Sequence, residues 1–284
     1  MNRIRPDSAD YPSGLNDLED PPTLWLRGEL KNAPGIAVVG TRRCTRYGLD
    51  LAEGFGSAIA RAGWTTVSGL ARGIDAAAHR GCLKLNGHAV AVLGSGIDVV
   101  YPTENAALYE SIVTGGGAIL SEYAPGTPPD RWRFPARNRV IAAISAAVVV
   151  VEAAAKGGAL ITARLGAELG RPVFVVPGDV DREMSEGCNR LIRDGAHPVL
   201  GSDDLIEELS LVVGPPTPKS TKDDLLDIPV DGVRIADLPD LWSMNPAEAL
   251  VMVGRLELEG RVTRIGDLVV PGLTTTKHAG GELG

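Results

Sequence analysis

Between Asp130 and Arg139 four arginines (Arg131, Arg133, Arg137 and Arg139) stand against a single acid, with Trp132 and Phe134 interleaved. A guanidinium is a planar fork that pairs with a phosphate through two hydrogen bonds. An aromatic ring offers a flat face on which an unpaired base can stack. Residues of these two kinds at this spacing suit a site for single-stranded nucleic acid. A basic run also occurs as a solvated loop before a helix, so the reading depends on what surrounds it.

Short apolar runs precede and follow this segment, at 36–39, 65–68, 89–93, 118–121, 147–151 and 173–176. Helical stretches are predicted between them at 47–62, 74–86, 104–114, 138–144 and 159–169. Alternation of this kind indicates an α/β fold with a parallel sheet and crossover helices. The runs lack in–out polarity, as expected of strands covered on both faces. Each ends in glycine or a small polar residue, including Gly40-Thr41-Arg42, Ser68-Gly69 with Arg72 following, Gly94-Ser95-Gly96, Ser121 and Pro177-Gly178. In an open parallel sheet such endings share one edge, where ligands bind. Glycines there let a phosphate approach backbone N–H groups at the start of the next helix. Six endings on one edge, two of them followed by arginine, favour an anion-binding cleft.

Charge is distributed unevenly. The 284 residues carry a formal net charge of −8. Residues 1–202 hold 21 basic and 21 acidic side chains, and residues 203–270 hold 6 and 14, so the second stretch carries the whole excess (6 − 14 = −8). A neutral main domain permits a local cationic groove, and an acidic tail is a poor grip for DNA. The expected organisation is an N-terminal extension (1–34), a Rossmann-like domain (35–211), a Pro-rich linker (212–224), a small winged-helix-like domain (225–270) and a disordered tail (271–284). Cys44, Cys82 and Cys188 show no metal-ligand spacing and read as free thiols of a reducing cytoplasm. The apolar run 142–155, interrupted by Ser145 and Glu152, is too short to span a bilayer, so no membrane association is expected.

Several chemistries lack support. The chain has no P-loop and no G-x-G-x-x-G fingerprint. Its four histidines have no paired ligand spacing. Asp75 and His79, four apart on one predicted helix, read as a helix cap and a packing residue ahead of an acid–base pair. Ser68 and Ser121 have no base beside them. No catalysis and no cofactor are expected.

The chain resembles the DNA-processing protein A (DprA/Smf) family. The resemblance rests on Val39-Gly40-Thr41-Arg42, on Ser68-Gly69-Leu70-Ala71-Arg72-Gly73-Ile74-Asp75, on Tyr101-Pro102 with Asn105, and on Leu120-Ser121-Glu122-Tyr123. It continues through Phe134-Pro135-x-Arg137-Asn138-Arg139, Gly158-x-Leu160-Ile161-Thr162-Ala163, Pro177-Gly178 and Gly187-Cys188-Asn189, in family order over about residues 11–200. It implies an extended Rossmann-like domain that binds single-stranded DNA without turnover. It also implies a homodimer that protects incoming strands and loads the RecA recombinase during natural transformation. The family's DNA pocket maps to Gly40, Thr41 and Arg42, to Arg137, Asn138 and Arg139, and to Lys156, with Phe134 as a base-stacking surface. Ser68, Gly69 and Arg72 join these as candidates.

There are two departures. Family chains often carry a helical domain before the segment matched here by Tyr11-Pro12-Ser13-Gly14-Leu15; this chain is expected to lack one, unless its start codon is misassigned. The usual Lys-Ser-Gly-Ser segment is here Lys156-Gly157-Gly158-Ala159, with two hydroxyls lost. A rival reading is a nucleotide phosphoribohydrolase of the lysine-decarboxylase-like group, whose Pro-Gly-Gly-x-Gly-Thr loop this chain lacks. Arg137 and Arg139 fall at a predicted helix start, a poor place for a cation unless an anion binds there. Arg137→Ala is therefore expected to weaken DNA binding without lowering the melting temperature.

Overall fold

The computed structural model describes residues 1–215, 228–229, 231–242, 245–258 and 262–271. Most of the expected linker, from 216, and the expected tail, from 272, lie outside the described residues. The chain divides into two compact units, Met1–Lys219 and Ser220–Gly284.

The first unit contains strands β1 (Asn2–Ile4), β2 (Leu24–Gly28), β3 (Gly35–Val39), β4 (Thr65–Ser68), β5 (His88–Gly96), β6 (Ala118–Tyr123), β7 (Ala147–Val150), β8 (Val173–Val175) and β9 (His197–Pro198). Its helices are α1 (Arg46–Arg61), α2 (Ile74–Lys84), α3 (Ala106–Thr114), α4 (Arg133–Ala143), α5 (Gly158–Glu168), α6 (Glu183–Arg193) and α7 (Ser202–Val213). The strands form one sheet in the order β1-β2-β6-β5-β4-β3-β7-β8-β9. From β6 to β9 every neighbouring pair is parallel, as in Ile36 opposite Ala147 and Val90 opposite Ala118. The α/β class and the Rossmann-like sheet read from the sequence are present. Residues 1–34, set apart in the sequence as an extension, add β1 and β2 to this sheet, with β2 antiparallel to β6.

Strand residues alternate between two covered faces. Ala37, Val39, Val148 and Val150 pack with Leu15, Val140, Ile141 and Ala163 on one side. Ile36, Val38, Val149 and Val151 pack with Phe55, Ile59, Trp64 and Ile74 on the other. Burial on both faces is why these strands show no polar alternation. Helices α1 and α2 touch backbone to backbone: a Cβ at Gly56 would collide with the Ala78 carbonyl, and one at Gly81 with Glu53. This close packing sets α2 tightly behind β3 and β4, whose C-terminal ends form the site.

The second unit contains β10 (Val233–Arg234), α8 (Leu238–Trp242), α9 (Pro246–Leu258), β11 (Val262–Ile265) and β12 (Leu268–Pro271). Its three strands pair antiparallel in the order β10-β12-β11. Leu238, Trp242, Val253, Leu256, Val262 and Val269 form its core. Among the described residues no helix is long and apolar enough to cross a membrane, and no cluster of three or more His, Cys, Asp and Glu is placed to hold a metal.

Candidate nucleic-acid interface

The chain runs outward from β3 through β4 and β5 to β6. It then returns to pair β7 against the other side of β3. The connections leaving β3 and β7 therefore diverge and open a crevice at the carboxyl edge, the usual ligand position in such sheets. The loop after β3 carries Gly40, Thr41, Arg42 and Arg43. The loop after β7 carries Glu152 and Lys156. The Thr41 N–H donates to the Glu152 carbonyl at 2.8 Å and ties the two loops together. Gly40 lies against Ile74, where a Cβ would collide with the Ile74 side chain.

Outside this seam the side chains form two cation–aromatic groups. The exposed Arg42 guanidinium lies 5.0 Å from the centre of the Phe134 ring. Phe134 in turn pairs with Tyr101 at 5.4 Å and 31°, and Tyr101 is 44% exposed. In the second group, Arg133 lies 4.9 Å from the Tyr123 ring and 5.1 Å from the Trp132 ring. Trp132 is 59% exposed and meets Tyr123 edge to face at 6.2 Å. Tyr101 and Tyr123 are absent from the candidates read from sequence, although both lie in the stretches that carried the resemblance. No local charge pattern marks them, since each is brought to the site by a different strand.

Beneath these groups lies a buried polar floor. Ser68 is fully buried and donates to the Val38 carbonyl at 2.7 Å. The Asp75 carboxylate accepts from the N–H groups of Gly69 (3.1 Å) and Ala71 (3.3 Å). It therefore holds the turn before α2, while Gly73 stands at the N-cap position itself. Arg137 reaches the same turn from the other side. Its Nη1 donates to the Gly69 carbonyl at 2.7 Å and to the Val92 carbonyl, and its Nε to Asn138 Oδ1 at 3.2 Å. A Cβ at Gly69 would collide with that guanidinium. Leu70, between the two anchors, takes a left-handed conformation with φ of 55°, an uncommon state for a branched residue. Burial pushes the Asp75 pKa up, opposed by Arg137 and by the two N–H groups. Burial pushes Arg137 down to about 10, opposed by Asp75. His79, also buried, has no hydrogen-bond partner at either ring nitrogen. Its desolvation, with Arg137 and Arg80 nearby, lowers its pKa to about 3.

The helix-start expectation for Arg137 is corrected here. Helix α4 begins at Arg133, five residues before the predicted start. Pro135 sits in its first turn, where a missing N–H is no loss, so it does not mark a boundary. Arg137 consequently lies in the second turn, facing inward, and is 4% exposed. As placed, it shapes the floor and does not present its guanidinium to solvent. Ser68, Gly69 and Asn138 are likewise buried. Asn138 donates to the Gly158 carbonyl at 3.2 Å, joining α4 to the start of α5.

The remaining candidates lie on the rim. Arg72 is exposed and paired with Glu104. Arg139 pairs with Glu122, and its Nη1 donates to the Asp20 carbonyl at 2.8 Å. Lys156 is exposed beside the N-terminus of α5. Thus Arg42 and Phe134 are in contact at the carboxyl edge, Thr41 and Lys156 lie on the loops after β3 and β7, and Arg72 and Arg139 are held by acidic partners. The structure also places one residue the sequence reading did not select: the buried Glu152 carboxylate, which accepts from the Thr45 N–H at 2.8 Å and from the Thr45 hydroxyl.

Residues 2–210 match the sequence model of the DNA recombination-mediator protein A family. Protein Smf of Synechocystis is 44% identical over 216 residues, which are 74% of this chain and 54% of that protein. The chain spans about half the length of the Smf proteins of Synechocystis and Escherichia coli, 54% and 56%. Among solved structures, DNA processing protein A of Streptococcus pneumoniae superposes with a TM-score of 0.69 at 39% identity, covering 73% of this chain and 74% of that one. The Helicobacter pylori protein, solved for its single-stranded DNA binding mode, gives 0.67 at 30% identity, covering 73% and 94%. The matched region holds the whole crevice, and the chain belongs to the DNA recombination-mediator protein A family.

Proposed function

We propose that the crevice binds single-stranded DNA, with little sequence preference and without turnover. The Arg42–Phe134–Tyr101 stack beside the Trp132–Arg133–Tyr123 group carries this reading. It combines two exposed rings, Tyr101 and Trp132, with the exposed Arg42 guanidinium, the pairing that lets bases stack while phosphates are neutralised. The Helicobacter relative's single-strand binding supports the same assignment. Arg42, Thr41, Phe134 and Lys156 would touch the strand, joined by Arg72 and Arg139 on exchange of their acidic partners. Gly40, Ser68, Gly69, Arg137 and Asn138 would shape the surface from below. Titration of labelled oligo-dT and of a matched duplex across a salt series tests the reading. Preference for the single strand is expected, with a log–log slope of about −0.7 for each phosphate neutralised. Equal duplex binding or a flat slope sinks it.

The wider role follows the family: protection of incoming strands and loading of the RecA recombinase in transformation, by a cytoplasmic homodimer. Exposed Leu200 and Leu211, 82% and 80% accessible, are apolar surface that a second copy could cover. Light scattering on Leu211→Arg tests this. The second unit is proposed as a winged-helix-like domain that contacts a protein partner, because its acidic charge disfavours DNA. The phosphoribohydrolase alternative needs an open phosphate seat in the crevice, and Glu152 stands where a helix N-terminus would offer one. Release of free base from nucleoside monophosphates at ordinary enzyme rates would revive it.

A further inference from the structure

In an open α/β sheet the first crossover helix at the switch point presents free N–H groups, and an anion settles there. Here that helix is α1, and its seat is taken. The Glu152 carboxylate accepts from the Thr45 N–H (2.8 Å) and from the Thr45 hydroxyl. The same hydroxyl accepts from the Gly48 N–H at 3.1 Å, completing the cap. Gly48 leaves room for the carboxylate, since a Cβ there would collide with both Glu152 oxygens and Cδ. Glu152 is only 8% exposed, and its own carbonyl accepts from Thr41 N–H at 2.8 Å. One residue thus braces both ends of the loop that carries Arg42 and fills the seat with negative charge.

We propose that Glu152 is the specificity-determining residue of the crevice. Its carboxylate occupies the α1 anion seat, shuts out free nucleotide and pyrophosphate groups, and leaves phosphate recognition to side chains on the rim. The inference rests on the single-strand reading of the same crevice. A second anion at the α1 N-cap would meet a like charge, which repels it, and would find the Thr45 N–H taken by the carboxylate and the Gly48 N–H taken by the Thr45 hydroxyl. A polynucleotide backbone tracked by rim arginines has no need of the seat.

The test uses the full chain with inorganic pyrophosphate and oligo-dT as probes, read by calorimetry and by thermal shift. Wild-type protein is expected to bind oligo-dT and to bind pyrophosphate weakly. Glu152→Ala is expected to bind pyrophosphate at least tenfold more tightly, and thermal stabilisation by the ligand keeps this readable in a weakened variant. Glu152→Gln removes the charge, keeps one oxygen as an acceptor for Thr45 and fills nearly the same volume, so it covers the case in which the alanine variant does not fold. Its pyrophosphate affinity should rise at least threefold. Adding Gly48→Ala to Glu152→Ala refills the seat with a methyl group and should abolish the gain. Pyrophosphate affinity within twofold of wild type in both single variants overturns the proposal, as does a gain that survives Gly48→Ala. If wild type fails to bind oligo-dT while the Glu152 variants gain pyrophosphate, the single-strand reading falls and the role of Glu152 stands.

Discussion

The rim and the floor of the crevice draw on the same residue types and use them in opposite ways. On the rim, Arg42 is exposed beside an aromatic ring, and Arg72 and Arg139 pair with Glu104 and Glu122. On the floor, Arg137 is spent on the carbonyls of Gly69 and Val92, and Asp75 on N–H groups of the same turn. Arg42 and the Arg72–Glu104 pair are open to water, which screens them, while Arg139 and Glu122 are half-buried and form the tighter pair. Floor charges are committed because no solvent replaces what they would lose. Two arginines in equally basic stretches therefore take unrelated places, one exposed to solvent and one committed to the surface beneath it.

The sharpest way to break this comparison is Arg137→Ala. Loss of a buried guanidinium strands two carbonyls and leaves Asp75 without its nearest cation, at a cost of about 3–5 kcal/mol. The melting temperature should fall by many degrees, reversing the outcome drawn from a helix-start position. A melt unchanged from wild type would return Arg137 to the rim.

A second outcome concerns acid stability. The pKa of His79 is about 3 in the folded chain, below its ordinary value of 6.5. The unfolded chain then binds the extra proton between those values, so stability present above pH 6.5 is lost as pH falls toward 3. The slope from this one group is at most about 1.4 kcal/mol per pH unit. The raised Asp75 pKa acts in the opposite sense, favouring the fold at low pH and losing that contribution as pH rises. Replacing His79 with leucine should flatten the acid limb of a denaturation series between pH 6.5 and 4. An unaltered limb would show that His79 is not desolvated.

Arg42→Ala is the rim counterpart. Oligo-dT affinity should weaken by about 1–3 kcal/mol, the loss of a charged hydrogen-bond partner, while the melting temperature stays close to wild type. Strong destabilisation with unchanged affinity per folded molecule would move Arg42 to the floor. The smallest effect is expected from deleting residues 215–284, which removes an acidic segment. Affinity should stay within about threefold, under ~1 kcal/mol. A collapse of affinity with the first unit still folded would give the second unit a share of the DNA.

Much of this was legible in the sequence. The six apolar runs before residue 177 are strands β3 to β8, and five predicted helices lie within a few residues of α1 to α5. Their signal is local, resting on apolar runs, glycine-bounded ends and helical spacing. What escaped notice also has physical causes. β1 and β2 are short and gain order only by pairing with each other and with β6. α4 began earlier than expected because proline in a first turn is compatible with helix. Glu152 looked like an interruption in an apolar run, and its partner Thr45 lies 107 residues away.

The sequence by itself determined the sheet, its crossover helices, the strand-end loops and the family, because each is written in contiguous residues. Only the tertiary structure decided which arginine faces the crevice and which is buried beneath it, and that a carboxylate fills the helix seat. Those outcomes depend on groups 68 and 107 residues apart meeting in space. Burial, and not residue type, then determines whether a charge is committed to the fold or free for a ligand.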